Sequence, residues 1–210
     1  MSRHTLIGKN VLLGVSGGIA AYKAAEIVRA FVKEGATVQV VMTANAQRFI
    51  TPLTLQVLSE QPVCTDLFDL AIESQIGHIQ VARAADLVLV APATANVIGK
   101  IAAGIADDYL TTVLLATTAP VLICPAMNTK MYENAVTRRN LETLRQLGHC
   151  ILEPGVGTLA CKEEGTGRLP DPDQIVETAY RLLTPPSLAG RKVLVSAGPT
   201  WEPFDPVRFI

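Results

Sequence analysis

Several short stretches of this chain carry residue types that could do chemistry. The run Val121 to Tyr132, VLICPAMNTKMY, breaks at Pro125 and presents Ala126, Met127 and Asn128. The Asn128 amide has two donors and one acceptor, so it can grip a carboxylate without carrying charge. Taken alone, Pro-Ala-Met-Asn is first a turn leading into an Asn-capped helix. Ser16-Gly17-Gly18 offers backbone N–H groups that could cradle an anion, or simply a tight turn. It is neither GxGxxG nor a Walker loop, and if it binds phosphate a mononucleotide fits better than a dinucleotide. Pro92-Ala93-Thr94-Ala95-Asn96 is again small and polar. Cys161 stands in the glycine-rich stretch 153–170, either as an exposed incidental thiol or as part of a catalytic lid. His78 is a capping or surface residue unless its neighbours give it work.

Strands and helices must position these residues. Apolar runs at 10–15, 37–42, 87–92 and 121–125 predict buried parallel strands, with a short further strand at 149–152. Helical spacing covers 19–33, with shorter helices at 44–49, 52–60 and 77–85. Further helices are expected at 99–104, 107–117, 134–147 and 171–183, which places Lys100 and the Asp107-Asp108 pair on turns, the aspartates as caps. Strand alternating with helix predicts an α/β fold with a doubly wound, mostly parallel, three-layer sheet. In such a sheet Ser16, Thr43, Thr94 and Asn128 all fall at strand carboxyl ends, where ligands bind. Residues 153–170 read as a long loop, and 191–196 as the first strand of a second unit. The expected organisation is a domain over 1–183, a linker over 184–190 and the start of a second domain over 191–210.

Bulk properties exclude several classes. With 210 residues and a net charge of −1, the chain has no electrostatic case for nucleic acid or an acidic membrane surface. Apolar residues make up 49% and aromatics 5%, which fits a sheet covered on both faces. No apolar run is long enough to span a bilayer or serve as a signal peptide. Four cysteines without a CxxC pair or metal-like spacing are expected to be reduced thiols of a cytoplasmic protein, with no metal site.

SGGIAAYK at 16–23, GHI at 77–79, PATAN at 92–96, PAMNTKMY at 125–132 and LACKEEGTGR at 159–168 occur in this order. Together they make residues 8–183 resemble the homo-oligomeric flavin-containing Cys decarboxylases. VLVSAGPTWEPFDPVRFI at the end is similar to the opening of a phosphopantothenate–cysteine ligase. The likeness is therefore to the bifunctional members, whose ligase half would need CTP and Mg2+ and more residues than are present here.

The resemblance implies FMN-dependent decarboxylation of 4'-phosphopantothenoyl-cysteine to 4'-phosphopantetheine. It implies that Ser16, Gly17, Gly18 and Thr43 hold the phosphate and ribityl region, with Thr94, Ala95, Asn96 and Ala126 lining the flavin. His78 would be the base, Cys161 the proton donor, and Asn128 the carboxylate holder, with Met131, Ala160 and Arg168 beside the substrate. It also implies self-association into trimers or trimer-based assemblies. Tyr132 in place of Trp, Val97 in place of a hydroxyl residue and Lys162 in place of Gly depart from the family pattern. Loss of CO2 from an N-acylated cysteine leaves a carbanion, and the blocked nitrogen excludes a pyridoxal Schiff base. Hydride loss to a flavin at the carbon bearing sulfur would give a C=S group β to the carboxylate, able to accept the electron pair. A non-catalytic flavin-binding module and a peptidyl-cysteine decarboxylase are the competing readings.

Overall fold

A computed structural model describes residues 6–68, 77–158, 163–184 and 190–196. Five parallel strands form the central sheet: β1 (Asn10–Val15), β2 (Thr37–Met42), β3 (Leu87–Ala93), β4 (Val121–Pro125) and β5 (Cys150–Ile151). Their order is β2-β1-β3-β4-β5, in register from Val11 opposite both Val38 and Leu87 to Leu122 opposite Cys150. The strands are apolar on both sides because both faces are covered. On one face Leu13, Val40, Leu89 and Leu122 pack against Phe31 of α1 (Ala24–Lys33), Leu55 of α2 (Pro52–Ser59) and Ile175 of α8 (Pro172–Leu183). On the other, Leu12, Val88, Val90 and Ile123 meet Val81 of α3 (His78–Ala84), Ile98 of α4 (Ala95–Ala103), Leu110 of α5 (Tyr109–Ala116) and Leu141 of α7 (Ala135–Gln146). The two clusters make the three layers. The α/β, doubly wound, parallel architecture is the one the alternating pattern predicts.

Between β4 and α7 lies the short helix α6 (Thr129–Glu133), capped by Asn128. Stop and start signals work locally. Gly35 takes φ +86 after α1, a left-handed position that suits glycine. Asp108 caps α5 by accepting from the Thr111 N–H at 2.8 Å in a reciprocal capping box.

Three expectations need correction. The stretch 153–170 is not all loop: β6 (Gly155–Thr158) and β7 (Glu164–Arg168) pair antiparallel within it. Its glycines give no apolar alternation to reveal a strand, and the pairing rests on backbone hydrogen bonds. Lys100 lies inside α4 rather than on a turn, because Thr94 starts that helix by accepting from the Val97 N–H at 3.4 Å. Residues 191–196 form no strand, and Leu194 is 97% exposed. Among the described residues no strand lies beside this segment to form a ladder with it.

Candidate functional site

The chain runs from β1 to β2 on one side and returns to β3 on the other, so loops diverge above the β1/β3 boundary. That switch point is where a crevice forms in an open α/β sheet. A cavity of about 1170 Å³ opens there, lined from four strand ends by Gly17, Gly18, Thr43, Asn45, Thr94, Ala95, Asn96, Ala126, Met127 and Asn128. Met131 of α6, Thr158 of β6, Arg168 of β7 and Lys100 of α4 close its other walls. Small-molecule sites commonly enclose roughly 300–1,000 Å³, so this one is generous.

The two adjacent glycines do different things. A Cβ on Gly17 would collide with Asn45, whose backbone carbon lies 2.7 Å from that position. Gly17 is therefore needed for close packing of the β1 and β2 loops. A Cβ on Gly18 would meet only Thr94 Cγ2 at 3.4 Å. Packing does not demand glycine there, and the bare backbone faces the cavity.

Ser16 is fully buried and lies behind the cavity wall. Its hydroxyl donates to the Pro92 carbonyl at 2.7 Å and accepts from the Thr94 N–H at 3.0 Å. Its place is between the ends of β1 and β3, fixing Thr94, which does line the cavity. Thr43 is nearly buried at the end of β2, and its Oγ1 accepts the Ala46 N–H at 3.3 Å.

Asn128 faces the cavity with a defined amide orientation. Its Oδ1 accepts the Lys130 N–H at 2.8 Å, and a backbone N–H can only donate. The amine end therefore points outward, where Nδ2 donates to the Glu163 carboxylate at 3.2 Å. β7 is docked tightly against this turn. The Met127 N–H donates to the Gly167 carbonyl at 3.0 Å, and a Cβ on Gly167 would strike the Met127 carbonyl oxygen.

Among the described residues three cations line the cavity. The Lys100 ammonium bonds Asp107 at 2.7 Å and Asp108 at 3.4 Å; the Asp107 hydrogen bond raises the ammonium's pKa above the ordinary lysine value. Lys23 and Arg168 share the Asp171 carboxylate at 4.0 and 3.7 Å. Behind the wall, the Tyr132 hydroxyl donates to Glu153, which also accepts from Arg145. Burial first, then the bond to Glu153, pushes the Tyr132 phenol up to about 12.

Of the residues expected in the site, Gly17, Gly18, Thr43, Thr94, Ala95, Asn96, Ala126, Asn128, Met131 and Arg168 converge on one cavity. Ser16 stands one layer behind them. His78 does not line the cavity; it begins α3 with its ring edge-on to Tyr109 at 6.5 Å. Cys161, Ala160 and Lys162 lie outside the described residues. Lys23, Asn45 and Glu163 were not among the expected residues. Of these only Lys23 had a visible signal, one helical turn beyond the double glycine.

Comparison with known proteins fits this geometry. The Flavoprotein family model matches residues 1–184, and the model of the DNA/pantothenate metabolism flavoprotein C-terminal domain matches 188–210. The chain is 52% identical over 206 residues to the coenzyme A biosynthesis bifunctional protein CoaBC of Vibrio cholerae, covering 98% of this chain and 52% of that protein. It thus spans about half the length of the curated relatives it matches. A PPC decarboxylase mutant complexed with pantothenoylaminoethenethiol aligns with TM-score 0.73 and 33% identity, over 82% of this chain and 97% of that one. The FMN binding protein AtHal3 aligns with TM-score 0.71 and 35% identity, over 82% and 95% respectively. A doubly wound sheet, a cavity at its switch point and a family match across 184 residues agree: the chain belongs to the Flavoprotein family of flavin-containing Cys decarboxylases.

Proposed function

We propose that this chain is the FMN-dependent decarboxylase part of a bifunctional coenzyme A biosynthesis protein, acting on 4'-phosphopantothenoyl-cysteine. The observation that carries this is the cavity at the β1/β3 switch point, with bare glycine backbone on one side and an outward-facing carboxamide donor on the other. The residues present suit FMN. Gly18 presents bare backbone to the cavity, and Lys23, which follows in the same loop-to-helix segment, lines it as well. Gly17, Gly18 and Thr43 would hold the phosphate and ribityl end, and Thr94, Ala95, Asn96 and Ala126 would line the ring. When bound, the flavin supplies reversible two-electron chemistry next to the substrate.

The remaining steps belong to side chains. Asn128 orients the substrate carboxylate through Nδ2; being neutral, it does not stabilise a charge that must disappear as CO2 leaves. Met131 and Arg168, which line the same cavity, are assigned beside the substrate, and Ala160 is assigned with them from its place in the sequence. Cys161, in the connection between β6 and β7, is assigned proton return after CO2 loss, which requires it as a thiol at that moment. His78 is assigned the base. It lies off the cavity within one chain, so we assign it to the cavity of another copy in a homo-oligomer built on trimers.

Residues 191–210 would begin the CTP- and Mg2+-dependent ligase unit of the whole protein, after a linker at 184–190. No helix among the described residues is long and apolar enough to cross a membrane, and we place the protein in the cytoplasm. Purified chain should carry FMN, identified by mass after release, and should discriminate between substrates. Turnover of the phosphorylated acyl-cysteine without turnover of a peptide ending in cysteine supports the proposal. The reverse preference would make it a peptidyl-cysteine decarboxylase, and bound FMN with neither activity a non-catalytic module.

A further inference from the structure

We infer that Glu163 is an internal carboxylate that occupies the Asn128 amide in the substrate-free protein and must yield it to the carboxylate of the incoming substrate. This rests on the reading that Asn128 receives that substrate carboxylate.

Three features place the two groups together. The Lys130 N–H fixes Asn128 Oδ1 at 2.8 Å, so the end facing outward can only donate. The group found on it, 3.2 Å away, is the carboxylate of Glu163, the same chemistry expected of the ligand. Glu163 is also delivered there by a rigid dock. It directly precedes β7, whose Gly165 and Gly167 lie so close to Thr129 and Met127 that a Cβ at either would collide. With the strand seated by the Met127–Gly167 hydrogen bond at 3.0 Å, the side chain ahead of it meets the α6 cap.

Two carboxylates cannot share one outward amide without like-charge repulsion. The amide nitrogen has a second N–H, but a carboxylate drawn to it would sit against the Glu163 charge, so substrate binding displaces Glu163 and the amide is fully available only for the fraction of time that Glu163 is away. Apparent affinity falls by that fraction; for availability of roughly 10–30% the loss is about three- to tenfold. Glu163 thus acts as a specificity-determining residue: it keeps the amide oriented while empty and sets a threshold that only a ligand bearing its own carboxylate overcomes.

Calorimetry on the FMN-loaded chain with two probes tests this. One is the serine analogue of the substrate, which keeps the carboxylate; the other is 4'-phosphopantetheine, which lacks it. Glu163→Ala and Glu163→Leu, which remove the competing acceptor, should bind the serine analogue about three- to tenfold more tightly and leave 4'-phosphopantetheine unchanged. Unchanged or weaker binding of the serine analogue would overturn the inference. Equal tightening of both probes would also overturn it, since it would reflect only a general loss of negative charge. Asn128→Ala tests the underlying reading separately. If it leaves the serine analogue's affinity unchanged, Asn128 does not hold the carboxylate, whatever Glu163 does.

Discussion

The Ser16 hydroxyl accepts the Thr94 backbone N–H at 3.0 Å while donating to the Pro92 carbonyl at 2.7 Å, with Ser16 itself fully buried. This pair joins the ends of β1 and β3 at the switch point and sets the position of Thr94 and of the cavity wall that follows. Ser16→Ala leaves the Thr94 N–H without its partner, while the Pro92 carbonyl still accepts the Ser16 N–H at 3.3 Å, so the cost is about 1–3 kcal/mol and rests on that one N–H. Thermal unfolding should show a lower midpoint for the variant, and FMN should dissociate faster. A variant as stable and as yellow as the parent would contradict the positioning role.

Gly17 and Gly18 should separate packing from binding. Gly17→Ala forces the Asn45 backbone to move and should destabilise by about 1–3 kcal/mol. Gly18→Ala meets only Thr94 Cγ2 at 3.4 Å in an extended backbone, so its unfolding midpoint should stay close to the parent's. If Gly18 faces the phosphate, its FMN affinity should nevertheless fall at least about tenfold, since a methyl holds the backbone off the anion. Equilibrium flavin titration beside a melting curve reads both effects.

Much of the frame was legible in the amino-acid order, for a physical reason. β1, β3 and β4 are apolar on both faces, and the small polar residues that follow each can only sit at the sheet's carboxyl edge. Direction at a strand end was not legible. Nothing in Ser16-Gly17-Gly18 tells that the hydroxyl turns inward while Gly18 turns out. The β6–β7 hairpin was hidden because its stability comes from glycines allowing close backbone approach, which leaves no apolar pattern. The start of α4 at Ala95 was missed because Thr94 caps it amid residues of weak periodicity. The Asn128–Glu163 pair joins residues 35 positions apart, and no spacing rule connects them.

Alkaline pH should weaken the fold through two phenols. Burial, with a hydrogen bond to Glu153 for Tyr132 and to Glu34 for Tyr180, pushes both phenols up to about 12 from an ordinary 10. Each is held in its neutral, protonated form by the fold. That contribution is fully present below pH 10 and is lost as pH rises through about 12. Urea midpoints should therefore fall across that window. In Tyr132→Phe plus Tyr180→Phe the fall should be smaller, and an identical pH profile would remove the assignment.

Assignment of His78 to another copy's cavity predicts complementation. His78→Asn and Asn128→Ala proteins should each retain flavin yet lose decarboxylation. Co-refolded as mixed oligomers, they should regain part of the activity, because some cavities then receive an intact His78 and an intact Asn128 from different chains. Mixed oligomers as inactive as their parents would put both residues in the same chain's site.

CO2 release from 4'-phosphopantothenoyl-cysteine labelled at its cysteine carboxyl tests the central claim most directly. The chain carrying its own FMN should release label in step with appearance of the thiol 4'-phosphopantetheine, over many turnovers and without added oxidant or reductant. Bound FMN and bound substrate with all label retained would contradict the account.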